Sequence, residues 1–490
     1  MTAAYPPRRS ASPAILAASA ILAFTTAGGL APADAAGADA AVARASRTLY
    51  PAAERAAARA STPEGWQAAY DAARDLQEAL RRAAPVSRGC APLRVALDRY
   101  AAGRVLEIEG VDRPSPGDRA AGRRSAERAR PLVAARRARC DGGGPAPAPP
   151  PLSMSPAPGE AFAGPVVARA PEDATSATLT VDGGFAGTAA VRGGRVRFGV
   201  NVAPGPHDLR IAFTAGAGGP PPPGSRGARL LPGSRPRAAA APRADAALGR
   251  RLVAALDGGP RFRAAWVHDL TDGRSAGAGS DLRFPAASTV KLGLMAAVLA
   301  RLGGAPERSA YAYDLRAMAS WSSNLATNRL LRRFGGQATA EEGLRRLGAR
   351  ASTFPGEYIV GTQVAPPLVS RRVTTARDLG RMLLSLHSAA AGDRAAGAST
   401  GLTVHQARMA IGWLAASQQR GDNASLVAGG VAPGTVVAQK NGWIRAARLA
   451  AAIVYRPGGP AIVTLATYDE GGVTLAAAQA RGAAVAALLR

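Results

Sequence analysis

Two proline-rich stretches limit what this chain can fold into more than any other feature. Residues 141–160 read DGGGPAPAPPPLSMSPAPGE, and from Gly216 the chain reads GAGGPPPPGSRGARLLPGSRPRAAAAPR. Proline fixes φ and removes a backbone donor, so such runs read as extended linkers rather than packed elements. A chain of 490 residues interrupted twice in this way is expected to form roughly three units. The expected boundaries are a helical domain over 36–142, a linker over 143–160, a small β module over 161–215, a linker over 216–244 and a larger domain over 245–490. An apolar fraction of 47% is enough for buried cores.

Ahead of these units, Arg8 and Arg9 precede the apolar run from Ala14 to Phe24, and Ala33-Asp34-Ala35 offers small residues for cleavage. That order is the order of a secretory signal peptide, expected over 1–35. The run is short for a membrane anchor, and no cysteine lies near the cleavage site to carry lipid. A secreted, extracytoplasmic, monomeric protein associated with the cell wall is expected, with no membrane span after cleavage; export by the Sec or the Tat route stays open. The net charge of +27 follows from an arginine-rich composition. It admits an anionic wall polymer as partner, and nucleic acid is not expected. Cys90 and Cys140 are the only cysteines, both in the helical segment, and an oxidising exterior favours a disulfide between them. There is no C-x-x-C, and His207, His268, His387 and His405 show no metal spacing, so no metal or other cofactor is expected.

Within the helical segment, Thr62 and Pro63 form a cap and first turn, and Trp66, Tyr70, Ala73, Leu76 and Leu80 recur at spacings of three and four. Eight arginines against Glu127 between Arg119 and Arg139 read as a solvated helix face. In the β module, Ala177/Leu179/Val181, Val196/Phe198/Val200 and Leu209/Ile211/Phe213 alternate with period two between glycine turns, the pattern of a small β-sandwich-like (Ig-like) unit. In the last segment the strand-like AAWVHDL near its start and LAAAIVY and AIVTLATY near its end flank helical runs. Strands from both ends around helices predict an α/β (α+β) domain with an antiparallel sheet flanked by helices.

Of 61 basic side chains only two are lysines, Lys291 in FPAASTVKLGLMAAVLARL and Lys440 in AQKNGW. Ser288 and Lys291 lie three apart at the start of a predicted helix, so hydroxyl and amine share a face. A serine hydroxyl is a weak nucleophile until a base removes its proton. A lysine amine loses its charge readily on burial, whereas a guanidinium stays protonated, so arginine cannot replace a lysine that must act as a free base. Further on, Ser322 and Asn324 stand in ASWSSNLATNRLL, and Lys440-Asn441-Gly442-Trp443 precede a strand. Here Ser322 is placed to relay a proton, Asn324 to hold a substrate amide, Lys440 to attract a carboxylate, and Gly442 to let an extended substrate approach.

S-T-V-K, S-S-N and K-N-G, in that order, resemble the S-x-x-K, S-D-N and K-T-G elements of the class A β-lactamase and penicillin-binding serine hydrolases. The resemblance spans residues 245–490 and stops short of the N-terminal half. It implies Ser288 as acylated nucleophile, Lys291 as its activating partner, Ser322 as proton shuttle, and Asn324, Lys440, Asn441, Gly442 and Trp443 as substrate-binding residues. It further implies an oxyanion hole from the N–H groups of Ser288 and Trp443, each donor worth about 3 kcal/mol. Arg448 reads either as a second carboxylate contact or as a solvated strand-end charge.

Three departures bear on activity. Glu357, 35 residues after Ser322, stands where the family's deacylating glutamate is expected, but the companion asparagine four residues later is Gly361. Ser323 replaces the aspartate. The interval from Ser288 to Ser322 is 34 residues, which implies a trimmed helical subdomain. The expected function is β-lactam hydrolysis through an acyl-enzyme on Ser288. The alternatives are a penicillin-binding D-Ala peptidase or esterase acting on cell-wall peptide, and a wall-binding protein with a weakly active or decayed catalytic domain. The substrate is accordingly a small β-lactam or a peptidoglycan-like peptide.

Overall fold

The computed structural model describes residues 35–83, 86–112, 115–137, 140, 153–172, 174–200, 202–214, 224–230, 239–361, 372–417 and 425–489. The signal-peptide segment up to residue 34, and much of both linkers, lies outside them. Among the described residues no helix is long and apolar enough to cross a membrane.

Four helices come first: α1 (Ala35–Ala58), α2 (Pro63–Arg82), α3 (Ala91–Asp112) and α4 (Pro116–Arg137). Thr62 caps α2 as expected, its side chain accepting from Gly65 N, and Tyr70, Ala73, Leu76 and Leu80 form its buried face. α3 and α4 cross closely because both carry glycine at the contact. A Cβ on Gly122 would stand 2.5 Å from the Gly103 carbonyl oxygen. The Cys90–Cys140 disulfide joins the two ends of this hairpin, closing a span of 50 residues.

Eight strands follow: β1 (Met154–Ser155), β2 (Ala161–Phe162), β3 (Val166–Arg169), β4 (Ser176–Val181), β5 (Gly184–Ala190), β6 (Arg195–Phe198), β7 (Gly205–Phe213) and β8 (Gly224–Leu230). They form a sheet of order β1-β3-β6 and one of order β2-β8-β7-β4-β5. Phe162, Val166, Leu179, Phe198, Leu209 and Ile211 belong to one apolar cluster contributed by both. Asp182 and Gly183, both with positive φ, make the tight turn between β4 and β5. The linkers are shorter than the composition suggests. β1 pairs with β3, Glu160 is buried, and β8 pairs with β7. The reason is backbone pairing: β7 has a second edge to satisfy, and GSRGARL fills it with almost no apolar signal of its own.

The remaining elements are β9 (Arg243–Ala244), α5 (Ala246–Ala255), β10 (Phe262–Asp269), β11 (Arg274–Ala278), β12 (Phe284–Pro285), α6 (Lys291–Leu302), α7 (Ala312–Ser320), α8 (Asn324–Phe334), α9 (Gly336–Arg346), β13 (Val373–Thr374), α10 (Ala376–Ala390), α11 (Arg394–Thr400), α12 (Val404–Ala415), β14 (Val436–Ile444), β15 (Ala447–Arg456), β16 (Gly459–Tyr468) and α13 (Leu475–Ala487). The main sheet runs β14-β15-β16-β10-β11-β9, antiparallel except for β9 against β11. One face packs on α6, α10 and α12, the other on α5 and α13. Both faces are covered, which is why β15 and β16 are apolar almost throughout instead of alternating. β14 is an edge strand and borders the site described below.

The helical segment shares a core with this domain. Tyr70 and Ala73 of α2 and Val105 and Ile108 of α3 pack with Ala317, Leu325 and Ala326 of α7 and α8. Charge reinforces the junction: Asp314 of α7 accepts from Tyr70 Oη at 2.8 Å and pairs with Arg74 at 3.2 Å. Arg329 of α8 is buried against Asp75 at 2.7 Å and Glu78 at 3.0 Å.

The β module is clamped to α12 by His405, whose ring lies 3.3 Å from Glu160 and 2.9 Å from Glu307. Hydrogen bonds to Glu160 and then Glu307 push its pKa from the ordinary 6.5 up to about 10. A folded-state pKa above the unfolded value means that this clamp contributes fully below pH 6.5 and is lost as pH rises through about 10. The thermal midpoint of wild type is therefore expected to exceed that of His405→Gln at pH 6, the gap closing by pH 10.5. A gap that does not change with pH would contradict the clamp.

Candidate active site

Ser288 lies on a turn between β12 and α6. The turn is built locally: Thr289 Oγ1 donates to the Ala286 carbonyl at 2.7 Å, and Ala287 is held at φ 46°, a conformation that non-glycine residues avoid. Tyr358 Oη donates to the Ala287 carbonyl at 2.8 Å and braces the strained residue. The Ser288 side chain is partly exposed at the head of α6.

Lys291 opens α6 and is only 1% exposed. Its Nζ donates to the Ser322 carbonyl at 2.7 Å and to Asn324 Oδ1 at 2.7 Å, with Ser323 O farther off at 3.5 Å. The Tyr358 ring covers it, with Nζ 4.2 Å from the centroid. Burial first, then repulsion from Lys440, hold its pKa well below the ordinary lysine value. A neutral amine retains two N–H donors and one lone pair. In the neutral form the two short bonds would use both donors and leave the lone pair to a serine proton. Among the described contacts Lys291 makes no hydrogen bond with Ser288; the amine is anchored to the Ser322–Asn324 turn instead.

Ser322 joins the two lysines. Its carbonyl accepts from Lys291, and its Oγ accepts from Lys440 Nζ at 2.8 Å. Its φ of 65° places the side chain and the carbonyl to meet different cations. Lys440, on β14, is also 1% exposed and donates to the Asn441 carbonyl at 2.8 Å. Burial lowers its pKa to about 7. Asn324 presents Oδ1 to Lys291 and donates from Nδ2 to the Ile359 carbonyl at 3.2 Å. Gly442 lets β14 approach the turn: a Cβ there would lie 2.9 Å from Ser288 N. Asn441 is buried on the same strand, and Trp443 follows Gly442. The expected residues Ser288, Lys291, Ser322, Asn324, Lys440, Asn441, Gly442 and Trp443 thus fall on one turn, one loop and one strand edge that meet.

Two expected residues do not join them as expected. Glu357 is held by Arg332 in a two-point pair, both contacts 2.6 Å, and is exposed. It makes none of the described contacts with Ser288, Lys291, Ser322 or Lys440. The cause is Arg332, itself anchored to Asp71 at 3.0 Å, which draws the carboxylate toward α2. Arg448 is buried, stacks its guanidinium 5.5 Å from the Trp443 ring and donates to the Val473 carbonyl at 2.8 Å. It is therefore not a solvated strand-end charge.

Sequence reasoning missed Tyr358, whose ring covers the Lys291 amine. It also missed Glu109 and Asp112 of α3: Ser323 Oγ donates to Glu109 Oε1 at 2.8 Å, and Asn324 N donates to Asp112 Oδ2 at 2.9 Å. For Tyr358 the signal was adjacency in FPGEYIVG. For the two acids, more than 200 positions distant, no spacing rule applies.

Comparison with known proteins agrees with the motifs. Residues 313–490 match the family model described as the β-lactamase enzyme family, a span that includes Ser322, Asn324 and Lys440 and begins after Ser288 and Lys291. The C-terminal half of the chain thus resembles that family. Among solved structures, PBP-A aligns at 17% identity and TM-score 0.42, over 51% of this chain and 97% of its own. A β-lactamase from Desulfarculus baarsii aligns at 23% identity and TM-score 0.41, over 50% and 97% respectively. One from Xanthomonas campestris gives 21% identity and TM-score 0.40, over 50% and 98%. No curated protein matches the chain.

Proposed function

We propose that residues 245–490 act as an active-site serine hydrolase that opens a β-lactam or a cell-wall-peptide-like amide through an acyl-enzyme on Ser288. The observation that carries this reading is Ser322 hydrogen-bonded to both lysines of the chain, through its carbonyl to Lys291 and its hydroxyl to Lys440. In the proposed step neutral Lys291 takes the Ser288 hydroxyl proton as Oγ bonds to the carbonyl carbon. The oxyanion sits between the N–H groups of Ser288 and Trp443. When the C–N bond breaks, Ser322 passes a proton to the leaving nitrogen and is reprotonated by way of the lysines, so the proton taken from Ser288 ends on the leaving group. Charged Lys440 attracts the substrate carboxylate. Asn324, whose side chain is placed by Lys291, orients the substrate amide.

Glu357 favours one version of this reading. With its carboxylate engaged by Arg332, Glu357 is not placed among the described contacts to activate a water, which supports a persistent acyl-enzyme, as a penicillin-binding peptidase or esterase would show. The test combines fluorescent-penicillin labelling, mass spectrometry of the Ser288 peptide and nitrocefin turnover. The expected result is a stable adduct on Ser288 with turnover slower than labelling. Folded protein that forms no adduct with several β-lactams would remove the proposal, and fast turnover would restore the β-lactamase reading.

The N-terminal signal pattern and the Cys90–Cys140 disulfide support an exported, wall-facing location. The two sheets around one apolar cluster support a small β-sandwich-like module over the middle of the chain. A wall-binding role for the N-terminal half rests on its basic surface, whereas its shared core with α7 and α8 favours service to the hydrolase.

A further inference from the structure

We infer that Glu109 and Asp112, on α3 of the N-terminal helical segment, are positioning residues of the acylation site: they seat the Ser322–Ser323–Asn324 turn against Lys291. The segment thereby becomes part of the reacting machinery. The inference rests on the serine-hydrolase reading above and deepens it.

The turn is the least self-sufficient part of the site. Ser322 is in the left-handed region, and its hydroxyl, its carbonyl and the Asn324 side chain must meet two lysines at once. The backbone of the turn is tied to α7 by Trp321 N and Ser323 N, which donate to the Ala317 carbonyl, and to α8 by the Ser323 cap. α3 adds side-chain acceptors from outside. Glu109, fully buried, accepts from Trp321 Nε1 at 3.3 Å and from Ser323 Oγ at 2.8 Å. Asp112 accepts from Asn324 N at 2.9 Å. The residue before the strained serine and the two after it are therefore held by carboxylates on one turn of one helix. Val105 and Ile108 of the same helix pack on Leu325 and Ala326 and fix the approach.

The charges are consistent with this role. The second position of the motif carries serine, with no acid on the turn itself, and the carboxylate that reaches Ser323 comes from α3. Lys291 faces Lys440 from β14, Arg372 beside β13, the Tyr358 ring, and Asp112 and Glu109 from α3. The two acids oppose the burial and the cationic repulsion that lower the amine's proton affinity. They therefore hold the turn on which the amine is anchored and raise its proton affinity against those larger effects.

The test uses the full-length chain and the rate of labelling by fluorescent penicillin from pH 5 to 9. Glu109→Ala removes both acceptors, and its plateau rate is expected to fall by about tenfold or more, in line with the cost of misplacing a catalytic group. Glu109→Gln keeps an acceptor for Ser323 and should recover most of the plateau. It removes a negative charge facing Lys291, so the acidic limb of its profile should move to lower pH by about half a unit or more. Asp112→Asn should move the limb in the same direction. Should Glu109→Ala fail to fold, the limb of the Gln variant decides alone. Plateau and limb unchanged, or a uniform fall with the limb unmoved, would overturn the inference. Wild type that takes no label would remove the hydrolase reading and this inference with it, an outcome distinct from a labelled wild type with indifferent variants.

Discussion

Lys291→Arg is expected to fold and yet to lose about 10²–10⁴-fold in the rate at which β-lactams acylate Ser288, the range attributed to a positioned general base. The substitution fixes a positive charge at a position where the amine can give its charge up. The amine is fully buried, and its pKa is depressed by burial and by Lys440. A guanidinium at the same place offers no lone pair to the Ser288 hydroxyl at any working pH. Because arginine is larger, overpacking of about 1–3 kcal/mol accompanies the change. Lys291→Met, similar in length and without charge, separates the two effects and should be as inactive while less strained. Labelling in gel with fluorescent penicillin, beside circular dichroism of the same preparations, measures both. Folded Lys291→Arg that labels at the wild-type rate would end the assignment of Lys291 as the base.

Asp314→Ala is expected to destabilise the protein by about 3–5 kcal/mol, the cost of leaving a buried cation without its counter-ion. Asp314 is inaccessible to solvent and is contacted by Tyr70 and Arg74 of α2 and, at 3.5 Å, by Arg329 of α8. Its removal leaves Arg74 without its counter-ion, whereas Arg329 keeps Asp75 and Glu78. Urea denaturation of the variant measures the loss. The partner experiment replaces Arg74 with methionine and Asp314 with leucine together. Apolar replacement of both members of a buried pair is often neutral, so the double variant should recover much of the loss. A cost for Asp314→Ala below about 1 kcal/mol would mean that the helical segment is seated by its apolar contacts alone.

What was legible in the sequence followed from local rules. Thr62-Pro63 announced the start of α2, the stripe from Tyr70 to Leu80 its buried face, and the period-two runs announced β4, β6 and β7. The scarcity of lysine pointed to Lys291 and Lys440, which meet through Ser322. What was not legible depends on contacts between distant segments. β8 has almost no apolar alternation and exists because β7 offers it an edge. Glu357 had the right spacing, but spacing does not say that Arg332 will claim its carboxylate. Trp66 and Tyr70 read correctly as core-forming, yet the core they join lies partly in the C-terminal domain. Glu109 reads as one acid among many on a helix until the turn around Ser323 is placed against it.

Position 361 couples the two halves of the chain. Gly361 sits at φ 72°, and a Cβ there would lie 2.8 Å from the Trp66 indole of α2. A side chain on this loop would therefore have to displace an aromatic ring almost three hundred positions earlier in the chain, so a change at either place is felt at the other.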